Sequence, residues 1–264
     1  MFEAHFGFTA TPFRKDLPAM ALYSARLHAQ VLQQMDYALA QCQIVVLCGE
    51  TGSGKSTLLR ALVAQQSPAR YRFLVLAHPP AAPRDLYLDL LNVLGESAPW
   101  STAEARTRTR QRLAALAEAG RTPVLVVDEA QDVPVPVLEQ LRLLTAFELD
   151  GRPVLALVLA GHPELARHVR QKSLLALSER VGLWLQLLGL DRDEPPRYLQ
   201  HHLELAGCVR PLFTPEATIA IFQATKGIPR AINRLATRCL QLAATLGRDQ
   251  VVAELAEAVA AELN

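Results

Sequence analysis

The sequence predicts an α/β fold in which a core with a five-stranded parallel sheet is followed by a small all-helical domain. Five short apolar runs, rich in Val, Leu or Ile, lack strict alternation, which is typical of strands buried on both faces of a parallel sheet. Stretches with helical periodicity alternate with these runs, and such alternation favours a doubly wound arrangement. After about residue 190 only helical patterns follow, so the last third of the chain is predicted to form the helical domain.

The predicted strands lie at residues 44–48, 72–77, 124–127, 154–160 and 183–188. Helices are predicted before and between them, at residues 24–40, 56–66, 83–94, 102–119 and 136–145. A polar segment at 191–196 leads into the C-terminal helices, which are predicted at 216–225, 229–246 and 250–263. These patterns divide the chain into an N-terminal segment (1–23), an α/β core (24–190) and a helical lid domain (191–264).

Composition and charge narrow the class of protein. The 264 residues are 50% hydrophobic and 20% charged, which is ordinary for a globular protein large enough to bury a full core. The net charge of +1 gives no overall attraction to nucleic acid or to an acidic membrane surface. No apolar run approaches the roughly 20 residues of a membrane-spanning helix. The four cysteines form no CxxC pair, so we expect reduced thiols in a cytoplasmic protein without a membrane segment.

Residues 49–56, with the sequence GETGSGKS, match the phosphate-binding pattern GxxxxGK[ST] at every fixed position. A predicted strand precedes this P-loop motif and a predicted helix follows it, as the pattern requires. Its two inner glycines allow the backbone to curl so that N–H groups face phosphate oxygens. Lys55 supplies a mobile cation for the β- and γ-phosphates, and Ser56 offers a hydroxyl to Mg²⁺. The motif therefore predicts an ATP-binding loop that comprises Gly49, Glu50, Thr51, Gly52, Ser53, Gly54, Lys55, Ser56 and Thr57.

A second motif, VLVVDE at residues 124–129, places two carboxylates directly after a predicted buried strand. Asp128 is expected at the C-terminal edge of that strand, where it can hold Mg²⁺ directly or through water. Glu129 can then orient the attacking water or accept its proton. A module that only holds a nucleotide does not need the second carboxylate, so the pair predicts hydrolysis of ATP with Mg²⁺ as cofactor.

Several segments carry a resemblance to a known family. They are DEAQ at 128–131, LRLLTAFE at 141–148, GHPEL at 161–165, GIPR at 227–230 and the opening MFEAHFGF, followed by Pro12 and Phe13. Together with the two motifs above, they resemble AAA+ ATPases, and within these the ExeA/GspA-like family and its transposon-borne relatives of the TniB, TnsC and MuB type. The resemblance implies a P-loop AAA+ core with a helical lid, ATPase activity, and ATP-dependent assembly of the chain with itself into a ring or filament.

The resemblance also implies roles for individual residues. His162 stands where the family usually has Gln and would sense the γ-phosphate; the alternative is a histidine that only caps its strand. Arg230 would be the lid arginine that contacts the γ-phosphate of its own subunit, and Arg180 would be the arginine finger that faces a neighbour's nucleotide. The alternatives for these two are a solvated and a salt-bridged surface arginine. The N-terminal segment would pack near the adenine through Phe8, Pro12 and Phe13. Core packing alone explains these three residues equally well.

The predicted helix at 102–119 carries alternating arginines that could face DNA. The residues concerned, with one that precedes the previous helix, are Arg84, Arg106, Arg108, Arg110 and Arg112. In AAA+ relatives that act on DNA, this region lines the DNA channel, so the resemblance implies contacts with phosphates. The alternative is a solvated helix face balanced by Glu104 and Glu118. No base-reading motif is present, so any binding to duplex DNA is expected to be independent of sequence.

Three outputs of the ATP chemistry stay open. The first is a transposon-encoded regulator that assembles on DNA with ATP bound and recruits or activates a transposase. The second is a secretion-locus ATPase of the ExeA type, and the third is a nucleotide switch without catalysis. Secretion members of the family continue past the lid into a membrane helix and a peptidoglycan-binding region. If Asn264 ends the chain, the transposon type is therefore the expected one.

Overall fold

The computed structural model describes residues 2–14, 17–76, 78–146 and 153–263. Its contacts group the chain into two compact units. The sheet unit comprises Gln30–Glu50 and Leu58–Leu187, and the helical unit comprises Met1–Ala29, Thr51–Thr57 and Leu188–Asn264.

This grouping differs from the contiguous ranges 1–23, 24–190 and 191–264 that the sequence pattern indicates. The largest difference is the P-loop segment 51–57, which makes its contacts within the helical unit. Some residues named in the sequence patterns lie outside the described ranges: Met1, Ala77, Phe147, Glu148 and Asn264.

The sheet unit is built on five strands: β1 (Ile44–Gly49), β2 (Tyr71–Leu76), β3 (Thr122–Val127), β4 (Ala156–Gly161) and β5 (Val181–Leu187). Their order is β2-β3-β4-β1-β5 and every neighbouring pair is parallel, which confirms the predicted sheet. Every residue of β1 and β4 is buried, as expected for inner strands of a sheet covered on both faces. Because all strands run in the same direction, β1, β3 and β4 end at one edge, with β4 between the other two.

Three strands start two residues away from their predicted starts, because pairing rather than hydrophobicity sets the ends of a strand. β3 starts at Thr122, which pairs with Tyr71 of β2, rather than at Val124. The run predicted at 154–160 becomes β4, which starts only at Ala156, where pairing with Val124 of β3 begins. The run predicted at 183–188 becomes β5, which starts earlier, at Val181, because this residue pairs with Ile44 ahead of an irregularity in the ladder.

The helices in chain order are α1 (Phe2–Phe6), α2 (Arg26–Ala40), α3 (Lys55–Gln65), α4 (Pro83–Leu94), α5 (Thr102–Glu118), α6 (Val135–Leu144), α7 (Glu164–Val169), α8 (Leu175–Ser178), α9 (Pro195–Leu205), α10 (Pro215–Thr225), α11 (Pro229–Thr245) and α12 (Ala253–Leu263). Local signals explain several ends. The Ser101 side chain accepts a hydrogen bond from the Glu104 N–H and so caps α5. Thr214 caps α10 in the same way, and proline occupies the first turn of α10 and of α11.

The last helix starts later than the predicted range 250–263. Val251 instead forms an isolated parallel bridge with Phe213, and its N–H donates to the Leu212 carbonyl at 2.7 Å. An extended residue paired in this way cannot also begin a helix. The sequence gives no signal for the bridge, because its two partners lie on either side of α10 and α11.

The buried residues of the described ranges form three hydrophobic clusters. Alternate residues of β1 point into different clusters, with Ile44 and Val46 on one face of the sheet and Val45 and Leu47 on the other. The third cluster belongs to the helical unit and joins residues of α9 to α12 with the N-terminal segment. Burial on both faces is the physical reason why the strands read as continuous apolar runs.

The four cysteines are free thiols. Burial raises the pKa of the Cys239 thiol to about 12, so this group stays protonated at neutral pH. Within the described part of the chain, no helix is both long enough and apolar enough to cross a membrane.

Candidate functional site

The P-loop follows β1, which ends at Gly49, and runs into α3, which begins at Lys55. Gly52 and Gly54 have φ angles of +84° and +102°, a region that residues with a Cβ rarely adopt. Lys55 is 6% exposed and Ser53 is 1% exposed. A buried lysine at the N-terminus of a helix, preceded by two left-handed glycines, fits a bound polyphosphate.

Ser53 and His28 provide an independent test of that fit. The Ser53 hydroxyl oxygen and Nε2 of His28 are buried and have no hydrogen-bond partner among the described residues. A Cβ added to Gly54 would lie 3.1 Å from Cε1 of His28, so the imidazole packs directly on the loop. Burial lowers the pKa of His28, and its hydrogen bond with the Ser53 backbone opposes that shift. The Ser53 hydroxyl can donate to a phosphate oxygen, so a phosphate ligand would supply the partner that this buried group lacks.

Arg230 lies against the P-loop within the helical unit. Its backbone N–H donates to the Gly52 carbonyl at 3.2 Å. A Cβ added to Gly52 would lie 2.5 Å from the Arg230 Cβ, so only glycine allows this approach. Gly227, which opens the GIPR segment, has a φ of +75°, and a Cβ there would lie 2.3 Å from the Leu190 carbonyl oxygen. Two glycines therefore let the start of α11 reach the phosphate-binding loop.

Glu129 is the candidate catalytic carboxylate of the sheet unit. It follows β3 and Asp128, with φ 52° and ψ 37°, which is the left-handed conformation. Its N–H donates to Oδ1 of Asp128 at 2.9 Å. A non-glycine residue in this conformation costs on the order of 1 kcal/mol, and such strain clusters at functional sites.

The side chain of Glu129 is held by two residues. Nε2 of His162, the residue after β4, lies 3.4 Å from Oε2 of Glu129. Nε2 of Gln131 donates to the same oxygen at 3.0 Å, and Oε1 of Gln131 accepts from the His162 backbone N–H at 3.0 Å. The structure thus brings His162 and Glu129 together, as their positions after adjacent strands allow. Gln131 belongs to the DEAQ segment, but nothing in a sequence indicates its hydrogen bond to residue 162.

The predicted Mg²⁺ ligands offer oxygen donors, which is what this cation prefers. Ser56 is exposed in the first turn of α3, and Asp128 is half-buried after β3. Each belongs to a different compact unit, and the assignment of both to one ion stays a prediction.

Arg180 is exposed and lies immediately before β5. Its Nη1 donates to the Arg142 carbonyl at 3.3 Å. Over the described ranges Arg180 has no ion pair, in contrast to the salt-bridged surface arginine that was the alternative. The role of Arg180 at a neighbour's nucleotide stays a prediction.

Among the contacts of the described residues, two of the five arginines predicted to face DNA form ion pairs with acidic side chains. Arg108 pairs with Glu104 at 2.6 Å, and Arg112 pairs with Glu96. Arg84 donates to the carbonyl of the exposed Trp100 at 2.7 Å. Of the remaining two, Arg110 lies 3.5 Å from the Leu143 carbonyl. Arg106 is exposed and lines a cavity of about 260 Å³ with Tyr87 and Gln140.

Two of the three N-terminal residues predicted near the adenine contribute to the hydrophobic cluster of the helical unit, and the third is buried. Phe13 is a member of this cluster, and Phe8 packs against it. The ring centroid of Phe13 lies 5.2 Å from that of His202, and Pro12 is buried. Core packing accounts for these contacts, and a role near adenine stays a prediction.

Comparison with known proteins supports the resemblance. A family model described as an AAA domain matches residues 38–169. General secretion pathway protein A of Aeromonas hydrophila is 35% identical over 258 residues, which are 96% of this chain and 46% of that protein. The tylosin resistance ATP-binding protein of Streptomyces fradiae is 28% identical over 191 residues, 66% of this chain and 34% of that protein. The chain thus spans less than half the length of these curated relatives.

Solved structures agree on the fold. Cdc6p from Pyrobaculum aerophilum superposes with a TM-score of 0.68 at 17% identity, over 90% of this chain and 67% of that chain. The Aeropyrum pernix ORC1 protein, solved in complex with DNA, gives 0.64 at 18% identity, over 94% and 68%. The P-loop AAA+ fold with a helical lid and the ExeA/GspA-like resemblance are confirmed. On its family match, its sheet order and its P-loop, the chain belongs to the AAA domain family.

Proposed function

We propose that this protein is an ATPase that hydrolyses ATP to ADP and phosphate. The observation that carries the proposal is the strained Glu129 after β3, which Gln131 and His162 hold at the C-terminal edge of the sheet. β3 neighbours β4, and β4 neighbours β1, the strand that leads into the P-loop. The edge that supplies the phosphate-binding loop therefore also supplies a positioned carboxylate.

Each residue has a distinct part in this proposal. Lys55 and the first N–H groups of α3 would hold the β- and γ-phosphates, and Arg230 would contact the γ-phosphate. Ser56 and Asp128 would hold Mg²⁺, which supplies neutralisation of the phosphate charge when bound. Glu129 would orient the attacking water or take its proton.

Two variants test the proposal. Lys55→Ala should abolish tight binding of Mg-ATP in calorimetry, because it removes the buried cation of the loop. Glu129→Gln should keep binding and lose steady-state phosphate release, because the amide preserves the shape of the side chain but cannot take a proton. Glu257→Gln, at an exposed position of α12, is the matched control and should hydrolyse ATP as the wild type does. Turnover by Glu129→Gln within about threefold of wild type would contradict the catalytic role.

For the output of hydrolysis, we propose the secretion-locus type over the transposon type. The similarity to general secretion pathway protein A over 258 residues supports this choice, and it reverses the preference that rested on chain length. Recruitment of a transposase stays a prediction without support from these similarities. A DNA-associated role is the second candidate, because the fold is shared with a protein solved in complex with DNA and because Arg106 is exposed.

A further inference from the structure

The carboxamide of Gln131 joins the end of β4 to the carboxylate of Glu129. Its Oε1 accepts from the His162 backbone N–H at 3.0 Å. Its Nε2 donates to Oε2 of Glu129 at 3.0 Å and to Oδ2 of Asp132 at 3.1 Å. One side chain therefore links two adjacent strand ends through three hydrogen bonds.

The orientation of this carboxamide follows from the chemistry of its partners. A backbone N–H can only donate, so the atom that faces His162 must be the amide oxygen. The amide NH₂ then faces Glu129 and Asp132, and ionised carboxylates can only accept. The flipped amide would lose all three hydrogen bonds, so the side chain has one favourable orientation.

Gly161, the last residue of β4, makes room for this arrangement. A Cβ at this position would lie 2.4 Å from Oε1 of Gln131 and 3.2 Å from its backbone N. The φ of Gly161 is not in the left-handed region, so the glycine is needed for space rather than for its backbone conformation. The close approach of Gln131 to β4 therefore depends on the absence of a side chain at residue 161.

We propose that Gln131 is a positioning residue for ATP hydrolysis: it sets the Glu129 carboxylate relative to the end of β4. The inference rests on the proposed ATPase function. Glu129 sits on a short turn in a strained backbone conformation, and its side chain is only half-buried. The hydrogen bond from Gln131 restrains this carboxylate, and the bond to His162 couples it to the residue predicted to sense the γ-phosphate.

The first test replaces Gln131 by Met, which keeps the length of the side chain and removes both its donor and its acceptor. The expected result is a fall in kcat on the order of 10- to 100-fold, because a displaced base loses near-attack geometry. KM and the Kd for Mg-ATP should stay within about threefold of wild type, since no phosphate contact changes. Gln200→Met is the matched control, because Nε2 of Gln200 donates to Glu204 at a similar 3.1 Å on α9; it should retain wild-type kcat.

The second test is Gln131→Glu, which keeps the size of the side chain and replaces the donor that faces Glu129 by an acceptor. Three carboxylates, at residues 129, 131 and 132, would then face one another and repel. We expect kcat for Gln131→Glu to fall at least as far as for Gln131→Met, with KM within about threefold of wild type.

Gly161→Ala keeps every chemical group of Gln131 but displaces its carboxamide, and it should lower kcat as Gln131→Met does. If Gln131→Met does not fold, the kcat of Gly161→Ala tests the positioning role of Gln131. The inference is overturned if Glu129→Gln is inactive while Gln131→Met and Gly161→Ala keep kcat within about twofold, or if they lose ATP affinity in proportion to kcat. If Glu129→Gln itself turns over as the wild type does, the proposed ATPase mechanism fails instead.

Discussion

At the scale of single residues, Gly52 is where the P-loop depends most directly on a missing Cβ. The residue combines a left-handed φ with a close approach to the Arg230 Cβ. Gly52→Ala should therefore weaken Mg-ATP binding on the order of tenfold or more, because the loop must move away from Arg230 or give up its curvature. Calorimetric titration with Mg-ATP measures the effect.

Gly120→Ala is the matched control for this prediction. Gly120 has a similar φ of +75°, but a Cβ there would meet nothing within 4 Å. Gly120→Ala should therefore cost on the order of 1 kcal/mol of stability, because alanine is strained in the left-handed region, but it introduces no steric clash. Equal ATP affinity in the Gly52→Ala variant and the wild type would show that the loop tolerates the displacement.

At the scale of secondary-structure elements, α9 contains a buried histidine that should make folding stability depend on pH. Burial lowers the pKa of His202 to about 4, and the charge of His201 adds to the effect. His202 is therefore neutral in the folded protein at pH 5 to 6, whereas the unfolded chain takes up a proton below about pH 6.5. The stabilisation is complete above pH 6.5 and is lost as the pH falls from 6.5 towards 4.

We expect protonation of His202 in the unfolded chain to lower the free energy of unfolding by on the order of 3 kcal/mol between pH 7 and pH 4. His28, whose pKa burial also lowers, adds a loss in the same direction. Urea unfolding at a series of pH values measures the dependence. His202→Phe should flatten it, because the new ring can pack beside Phe13 and cannot titrate. A wild-type profile that is flat over this range would contradict the assignment.

The elements also show where local patterns mislead. The apolar run that opens at residue 154 is longer than β4, because Leu155 is buried without taking part in the strand. The helical pattern from 250 includes Val251, which pairs with Phe213 instead. Burial and periodicity are visible in a sequence, but hydrogen-bond partners distant in the chain decide where an element ends.

At the scale of the whole molecule, Arg180 is predicted to act on the nucleotide of a neighbouring subunit. Arg180→Ala and Glu129→Gln subunits should each be inactive, since loss of an arginine finger costs roughly 10³–10⁵ in rate. A 1:1 mixture should regain activity at about a quarter of the sites, where an intact Arg180 meets an intact Glu129 across a head-to-tail interface. Phosphate release from mixtures of defined ratio measures this recovery.

Arg167→Ala serves as the control for the mixing experiment. Arg167 is exposed and pairs with Glu164 on α7, so its loss should leave ATPase activity unchanged. Mixtures that co-assemble in size-exclusion chromatography but recover no activity would rule out a role of Arg180 across the interface.

We expect duplex DNA to bind only to the oligomer that assembles with ATP. Each subunit offers few phosphate contacts, so affinity must come from many subunits on one duplex. Arg106→Glu with Arg110→Glu should weaken binding to a duplex of roughly 60 base pairs at every sequence alike. Arg108→Glu should have a smaller effect than Arg106→Glu, because the Arg108 charge is already paired with Glu104.

Fluorescence anisotropy with ATP or ADP at several salt concentrations tests the DNA prediction. Binding should fall steeply with salt, because each neutralised phosphate releases counterions. Binding that is equal in ATP and ADP would contradict assembly-dependent recognition. If DNA binding survives the charge reversal at Arg106 and Arg110, α5 does not contact the DNA.

The sequence alone determined the parallel sheet, the position of the P-loop and the carboxylate pair after β3. These features are local: a strand buried on both faces requires a continuous apolar run, and a phosphate loop requires glycine, lysine and a hydroxyl at fixed spacing. The pattern also indicated the start of α11, because Pro229 and Arg230 stand in a recognisable segment. The roles of Arg180, Arg230 and His162 came from resemblance and stay predictions.

Only the tertiary structure decided how these parts are held. The left-handed backbone of Glu129 is visible only in the structure. The same is true of the hydrogen bond between Gln131 and His162 and of the contact between Gly52 and Arg230. The structure also pairs Arg108 with Glu104 and Arg112 with Glu96, and the second of these acids was not predicted. The physical reason is that hydrogen bonds and steric contacts act over a few ångströms between residues that are far apart in the chain, so no local pattern records them.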